Sequence, residues 1–287
     1  MLSREVTTLN IEGSSIRLLT AKGNSVQRWA ETPLEPGLVR DGLILDPRGV
    51  GTGIDGLFAS RGVPKQRVMT CLTGLRAIPR EITLPRIPAG QIEGAVRREA
   101  RREMPLPLDD LYLSWQVLDQ QGGQTRVYVL GVPRDLLDAQ VEAIRAAGIK
   151  PHVMDLKPLA LIRAVNEKEA IIADLEQHSL DVIIVVDDVP AIMRTIALGV
   201  ESNEDKVRRL VEELRRTVKF HDDSHRERPL DPNTPIYLTG GLMTDTSIVE
   251  AIKVMSTRPV MIPTPPLTCP PDMPVPTFMV NIGLALK

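Results

Sequence analysis

Short apolar runs separated by turn residues open the chain and predict three strands. They lie at residues 6–11, 16–21 and 26–30, with tight turns at Gly13-Ser14-Ser15 and Lys22-Gly23-Asn24. Residues 37–53 read as loop, with a helix starting near Gly49, and residues 68–72 as a buried strand. The pattern then changes. Residues 77–84 suit a strand. Residues 88–104 suit a helix, with Ile92, Val96, Ala100 and Met104 at helical spacing and Pro105 and Pro107 as its stop. Residues 111–118 and 126–132 predict two strands about a turn at 120–124. Asp135 caps a further helix that ends near Gly148. A strand at 153–156 and a helix at 158–166 follow.

A second set of strands is predicted at 171–175, 182–186 and 191–197, with Asp187-Asp188 as a turn. Leu210, Leu214, Val218 and His221 form the stripe of a long amphipathic helix over 203–221. Then come a strand at 236–238 ending in Thr239-Gly240-Gly241, a helix at 245–255, and a strand at 260–262. A proline-rich stretch covers 263–276, and a last helix 278–286.

The 287 residues are 43% hydrophobic and 25% charged, which suits about two globular domains. The net charge of −2 supplies no global field for nucleic acid, and 3% aromatics leave little to stack on bases. Cys71 and Cys269 have no metal or redox spacing, so a reducing compartment is expected. Met1-Leu2-Ser3-Arg4-Glu5 has no apolar core behind it, so no signal peptide is expected, and no run is long enough to span a bilayer.

The informative feature is a weak duplication. Leu9-Asn10-Ile11-Glu12-Gly13-Ser14-Ser15 and Ala173-Asp174-Leu175-Glu176-Gln177-His178-Ser179 are each a strand, an acid or its amide, and a tight turn into another strand. With the Thr-Gly-Gly turn, these hairpins resemble the actin, Hsp70 and sugar-kinase superfamily. Within it, Pro79-Arg80-Glu81-Ile82-Thr83-Leu84-Pro85, Val153-Met154-Asp155-Leu156 with Pro158-Leu159-Ala160-Leu161, Glu213-Leu214-Arg215-Arg216-Thr217-Val218 and Asn281-Ile282-Gly283-Leu284-Ala285-Leu286 are similar, in order, to the PilM family of type IV pilus assembly proteins. The middle strand-helix-strand-strand module is similar to the extra subdomain of PilM and FtsA.

The resemblance implies an α/β, actin-like (ribonuclease H-like) fold of two domains. The first would comprise residues 1–75 and 151–168, the inserted subdomain 76–150, and the second domain 169–287. The second domain would lack most of its small subdomain, because Leu198-Gly199-Val200 leads almost directly into the helix at Asn203. By the same resemblance, a nucleotide site would involve Asn10, Gly13, Ser14, Ser15, Asp174, Glu213, Arg216, Gly240 and Gly241, with ATP and Mg2+ as possible ligands. The implied partner is the cytoplasmic tail of a PilN-like inner-membrane protein, held in a groove lined by 4–19 and 84–118. The implied role is a cytoplasmic scaffold at the inner face of the membrane. The rival role is an ATPase or a sugar-kinase-like phosphotransferase.

The residues themselves argue against tight phosphate binding. A phosphate hairpin needs glycine so that the backbone can come close. Here Glu12 and Glu176 stand where the family has glycine. Two unit charges at ~4 Å repel by about 4 kcal/mol at an effective dielectric of 20. Asp174 can orient a metal-bound water or simply cap a turn, and Gly240 and Gly241 can admit adenosine or allow close packing. His221 and His225 have the spacing of a helical metal pair, within a polar helix end. Arg97, Arg98, Arg101 and Arg102 read as a solvated face paired with Glu93, Glu99 and Glu103, or as a contact for anionic headgroups or an acidic partner.

Overall fold

The computed structural model describes residues 2–73, 76–199 and 202–287, with the side chains of residues 2–4 left aside. The expected link at Val200 and the Arg4 side chain of the expected groove therefore lie outside the described residues. Two compact units are present, one formed by Met1–Leu75 with Gln140–Lys287 and one by Arg76–Ala139.

The first unit begins with β1 (Leu2–Ile11), β2 (Ser15–Gly23) and β3 (Ser25–Pro33), an antiparallel meander. A small hairpin, β4 (Val39–Arg40) and β5 (Leu43–Ile44), occupies part of the stretch read as loop. Asp41 and Gly42 both have positive φ at its turn, the backbone that a two-residue hairpin demands. Asp46 then caps α1 (Pro47–Arg61) by accepting the N–H groups of Arg48 and Gly49. β6 (Val68–Leu72) pairs parallel with β1.

The second unit holds β7 (Ile78–Pro85), α2 (Ala89–Glu103), β8 (Leu111–Gln121) and β9 (Gln124–Pro133), with sheet order β7-β9-β8. Ile82, Leu84, Val127 and Val129 face α2 through Val96 and Ala100, which gives this unit a core of its own. α3 (Arg134–Ala146) leaves the unit. β10 (Val153–Leu156) rejoins the first sheet beside β6, completing the order β10-β6-β1-β2-β3. α4 (Lys157–Val165) follows without a loop and ends at Asn166 in the left-handed region.

The second sheet repeats the first. β11 (Ala170–Leu175), β12 (Ser179–Val186) and β13 (Val189–Ala197) form the same meander. α5 (Asn203–Ser224) is capped by the Ser202 hydroxyl, and β14 (Ile236–Thr239) pairs parallel with β11. α6 (Thr246–Met255) and the two-residue β15 (Val260–Met261) complete the order β13-β12-β11-β14-β15. Only residues 198–202 separate β13 from α5. α7 (Met279–Ala285) is the last helix.

α4 and α7 pack together, and their apolar side chains share one core with Leu19, Met69 and Cys71 of the first sheet and Ile172, Ile183 and Val185 of the second. The approach is tight: a Cβ on Gly283 would lie 1.8 Å from the Ala160 carbonyl oxygen. On its other face the second sheet buries Ile171, Val182 and Leu238 against Leu210, Leu214 and Ile252 of α5 and α6. No helix among the described residues is long and apolar enough to cross a membrane.

Candidate functional site: two facing hairpins and a buried ion network

The β1–β2 and β11–β12 turns are built alike. The Glu12 N–H donates to the Ser15 carbonyl at 2.8 Å, and the Glu176 N–H to the Ser179 carbonyl at 2.9 Å. The Leu34 N–H then closes on the Ser14 carbonyl at 2.8 Å, and the Leu198 N–H on the His178 carbonyl at 2.9 Å. The four residues of the first set map onto those of the second at one constant offset. The tips meet: a Cβ on Gly13 would lie 3.4 Å from the Cβ of His178, at van der Waals range.

Two buried cations hold the hairpins together. Lys157, the first residue of α4, places Nζ 3.0 Å from Glu12, 2.7 Å from Asp174 and 3.0 Å from Asp181. Its side chain is 1% exposed, and the three carboxylates are 2% exposed or less. A cation is the wrong charge for a helix N-terminus, so the carboxylates must outweigh the dipole. Burial opposes the ammonium, but Asp174, Asp181 and Glu12 together raise its pKa well above the ordinary lysine value.

Arg17 of β2 forms the second clamp. It pairs with both Glu176 oxygens at 2.5 and 2.8 Å, with Glu31 at 2.9 Å, and donates to the Thr277 carbonyl at 3.1 Å. This two-pronged fork is the strong geometry for a guanidinium and a carboxylate. Burial opposes the Arg17 charge, and Glu176 more than restores it.

Four carboxylates, Glu12, Asp174, Glu176 and Asp181, thus share this interior with two cations. The imbalance appears in the proton affinities. Burial pushes Glu176 up from 4.5 to about 7, against the pull of Arg17. Burial also raises Asp181, against the pull of Lys157. The thiol of Cys71 is raised by burial and by Glu12.

Most of the expected site residues converge here. The Asn10 amide donates to Glu12 at 2.9 Å and accepts from the Cys71 thiol. Asp174 also accepts from the Thr239 hydroxyl at 2.6 Å. Ser15 is buried, and its hydroxyl has no partner among the described residues. The Gly241 N–H donates to Glu176 at 3.0 Å, and a Cβ on Gly241 would meet Arg17 at 2.8 Å. Gly240, at φ 104°, brings its turn so near β11 that a Cβ would lie 2.4 Å from the Leu175 carbonyl oxygen. That glycine serves strand packing. Glu213 and Arg216 form a different cluster on α5, where Glu213 pairs with Arg194 at 3.2 Å and Arg216 at 3.1 Å.

Gly13 and His178 line a cavity of about 480 Å3 with Glu12, Arg40 and Thr73. Ser14 and Gln177 line another of about 440 Å3 with Arg17, Glu31 and Gly241. Carboxylate oxygens of Glu12, Asp174 and Glu176 lie within 4.8 Å of one another, a set able to hold a metal ion. Two of the three already hold the Lys157 ammonium, and the third holds Arg17 and Gly241. The residues present therefore do not fit Mg2+ and a polyphosphate at this place. His221 and His225 stack ring on ring at 4.5 Å instead of splaying around an ion.

The model of the family described as type IV pilus assembly protein PilM matches residues 9–207. The chain belongs to the PilM family. Among solved structures, the PilM-PilN type IV pilus biogenesis complex is similar at 25% identity and a TM-score of 0.79, covering 99% of this chain and 98% of that one. The ethanolamine utilization protein EutJ from Carboxydothermus hydrogenoformans shares the fold at 14% identity and a TM-score of 0.60, covering 100% of this chain and 90% of that one. The cytoplasmic domain of EpsL, an inner-membrane component of the type II secretion system of Vibrio cholerae, does so at 15% and 0.55, covering 99% and 96%. MreB5 of Spiroplasma citri bound to ADP does so at 10% and 0.51, covering 99% and 96%. No curated protein sequence matches the chain. The actin-like α/β fold expected from the paired hairpins is thus the fold of this PilM-family chain.

Sequence reasoning missed the cations of the site. Lys157 had one available signal: a lysine directly before Pro158 in the first turn of a helix, where an acid suits the helix dipole. Arg17 had another, as a charged residue between the apolar Ile16 and Leu18-Leu19 of β2.

Proposed function

We propose that this PilM-family chain is an actin-like scaffold of a type IV pilus or a related secretion or competence machine, and that it works without bound nucleotide. Its partner in this reading is the cytoplasmic tail of a PilN-like inner-membrane protein. The scaffold would then act in the cytoplasm at the inner face of the membrane, brought there by that partner. Likeness along the whole chain to a PilM solved together with PilN supports the partner. The observation that carries the nucleotide-free reading is the Lys157–Arg17 network. Mg2+ would have to displace an ammonium from Glu12 and Asp174, and a phosphate would face Glu12 and Glu176. The short link between β13 and α5 supports the same reading, because it leaves little chain for a subdomain over an adenosine.

Calorimetry with a synthetic tail peptide of the PilN-like protein tests the partner, and absence of binding would remove it. A thermal-shift titration with ATP and Mg2+ tests the nucleotide. Ligand that binds the folded chain must raise its midpoint. The expected change is below ~1 °C at ligand concentrations where a micromolar site would be saturated. A large saturable rise would instead support the ATPase or phosphotransferase reading.

A further inference from the structure

The outer face of α2, in the second unit, carries positive charge that the fold leaves unmatched. At ~100° per residue, Gly90, Gln91, Gly94, Arg98, Arg101 and Arg102 fall within an arc of about 120°, and all six are exposed. Glu93, Glu99 and Glu103 lie outside that arc, toward the side that buries Val96 and Ala100. Glu93 holds Arg97 at 3.1 Å. Glu99 reaches Arg102 at 3.6 Å, and the Arg102 side chain stays 77% exposed. Arg98 and Arg101 have no carboxylate partner among the described residues. Pairing within the helix thus accounts for Arg97 and, loosely, Arg102. A base in the last turn offsets the helix dipole, which accounts for Arg101 and Arg102 but not for Arg98.

Two glycines lie beside these arginines without an internal reason. Glycine inside a helix destabilises it relative to alanine. A Cβ on Gly90 would meet nothing within 4 Å, and one on Gly94 only the Arg98 guanidinium at 3.6 Å. No packing within the chain therefore requires either glycine. Together they make a low strip on the outer face, over which a flat surface can come close to the backbone. The first turn of α2 contains no acid and no side chain caps it, so its open N–H groups add charge of the same sign.

The six residues of this face include no apolar side chain, and apolar and aromatic anchors carry most of the energy of protein contacts. A sheet of phosphate groups asks only for positive charge and clearance. We propose that this face of α2 lies directly on an anionic membrane, with Arg98, Arg101 and Arg102 against lipid phosphates. The contact is weak alone: each arginine is worth about fivefold in partitioning, and the three together about a hundredfold. It adds a second tether to the partner-borne placement of the scaffold, and two weak tethers multiply. The test contains no partner, so the two readings fail separately.

Flotation of the full chain with vesicles tests this at about 50 mM salt, where screening is modest. Vesicles of phosphatidylcholine with ~30% phosphatidylglycerol should carry the chain upward, pure phosphatidylcholine should not, and ~0.5 M salt should release it. Arg98→Gln and Arg101→Gln should each lower partitioning about fivefold, and both together with Arg102→Gln about a hundredfold. Arg226→Gln makes the same change in net charge off this face and should alter partitioning less than ~2-fold. All four arginines are exposed, so the variants should melt like wild type. A wild-type chain that does not float with anionic vesicles would overturn the proposal, as would equal binding to both vesicle types or glutamine variants that float like wild type. Arginine-dependent binding of soluble poly-glutamate without flotation would give the face to an acidic protein instead.

Discussion

Replacing Lys157 by methionine keeps most of the unbranched side chain and removes its charge from three carboxylates. The pairs at 2.7–3.0 Å are each worth about 6 kcal/mol of gross attraction at an effective dielectric of 20. Desolvation takes back several kcal/mol per ion, so the pairs cannot simply be added. Removing one partner from a buried pair costs about 3–5 kcal/mol, because the other is left uncompensated. That is a large part of the roughly 5–15 kcal/mol that holds a domain folded. Urea unfolding at pH 8 should show this loss. The sign with pH follows from the same groups. Burial already raises Asp181 against the pull of Lys157, so without the ammonium Asp181 must sit higher still in the folded variant. The folded variant then takes up protons as pH falls, and its deficit against wild type should at least halve by pH 5.5, roughly. A deficit below ~1 kcal/mol at pH 8, or one that does not change with pH, would refute the reasoning.

Other expectations follow from the same interior and its supports. In Lys157→Met the carboxylates of Glu12, Asp174 and Glu176 remain within 4.8 Å of one another with no ammonium between them, so millimolar Mg2+ or Mn2+ should raise its thermal midpoint and leave wild type unchanged. Glu176 is raised to about 7, so the folded chain binds a proton that the unfolded chain has lost between about 4.5 and 7. Stability should therefore fall as pH rises through that window, by on the order of 3 kcal/mol, and Glu176→Gln should flatten this slope in pH-dependent urea melts. Gly283→Ala would drive a methyl group into the Ala160 carbonyl and should cost about 1–3 kcal/mol or more by thermal unfolding. A stability within ~0.5 kcal/mol of wild type would show that α4 and α7 can separate freely.

The fold was legible where a local pattern had one physical meaning. Alternating short runs with Gly13-Ser14-Ser15 and Asp187-Asp188 between them marked both meanders, and the Leu210, Leu214 and Val218 stripe marked α5. The hairpin β4–β5 was hidden because two-residue strands carry no periodicity, although Asp41-Gly42 is a strong turn signal. The candidate site was half legible. The carboxylates announced themselves by replacing glycines, but their partners are distant in sequence. Lys157 lies far from Glu12, and Arg17 meets Glu176 only because two sheets face each other. A list of residue types does not say which charge neutralises which. For that reason Glu12 and Glu176 read as repulsive toward a phosphate, when they are first of all partners of buried cations.

Asn281 of α7 donates its amide to the Thr8 carbonyl and hydroxyl and to the Arg17 carbonyl. The first hairpin is thus closed by a residue that follows Thr8 by 273 positions. During translation, β1 and β2 would leave the ribosome long before the helix that locks them, with polar groups and an apolar face still open. Such distant contacts fold slowly and leave early intermediates exposed to aggregation. Cells making this chain should therefore depend on chaperone protection of the first sheet until α7 has emerged.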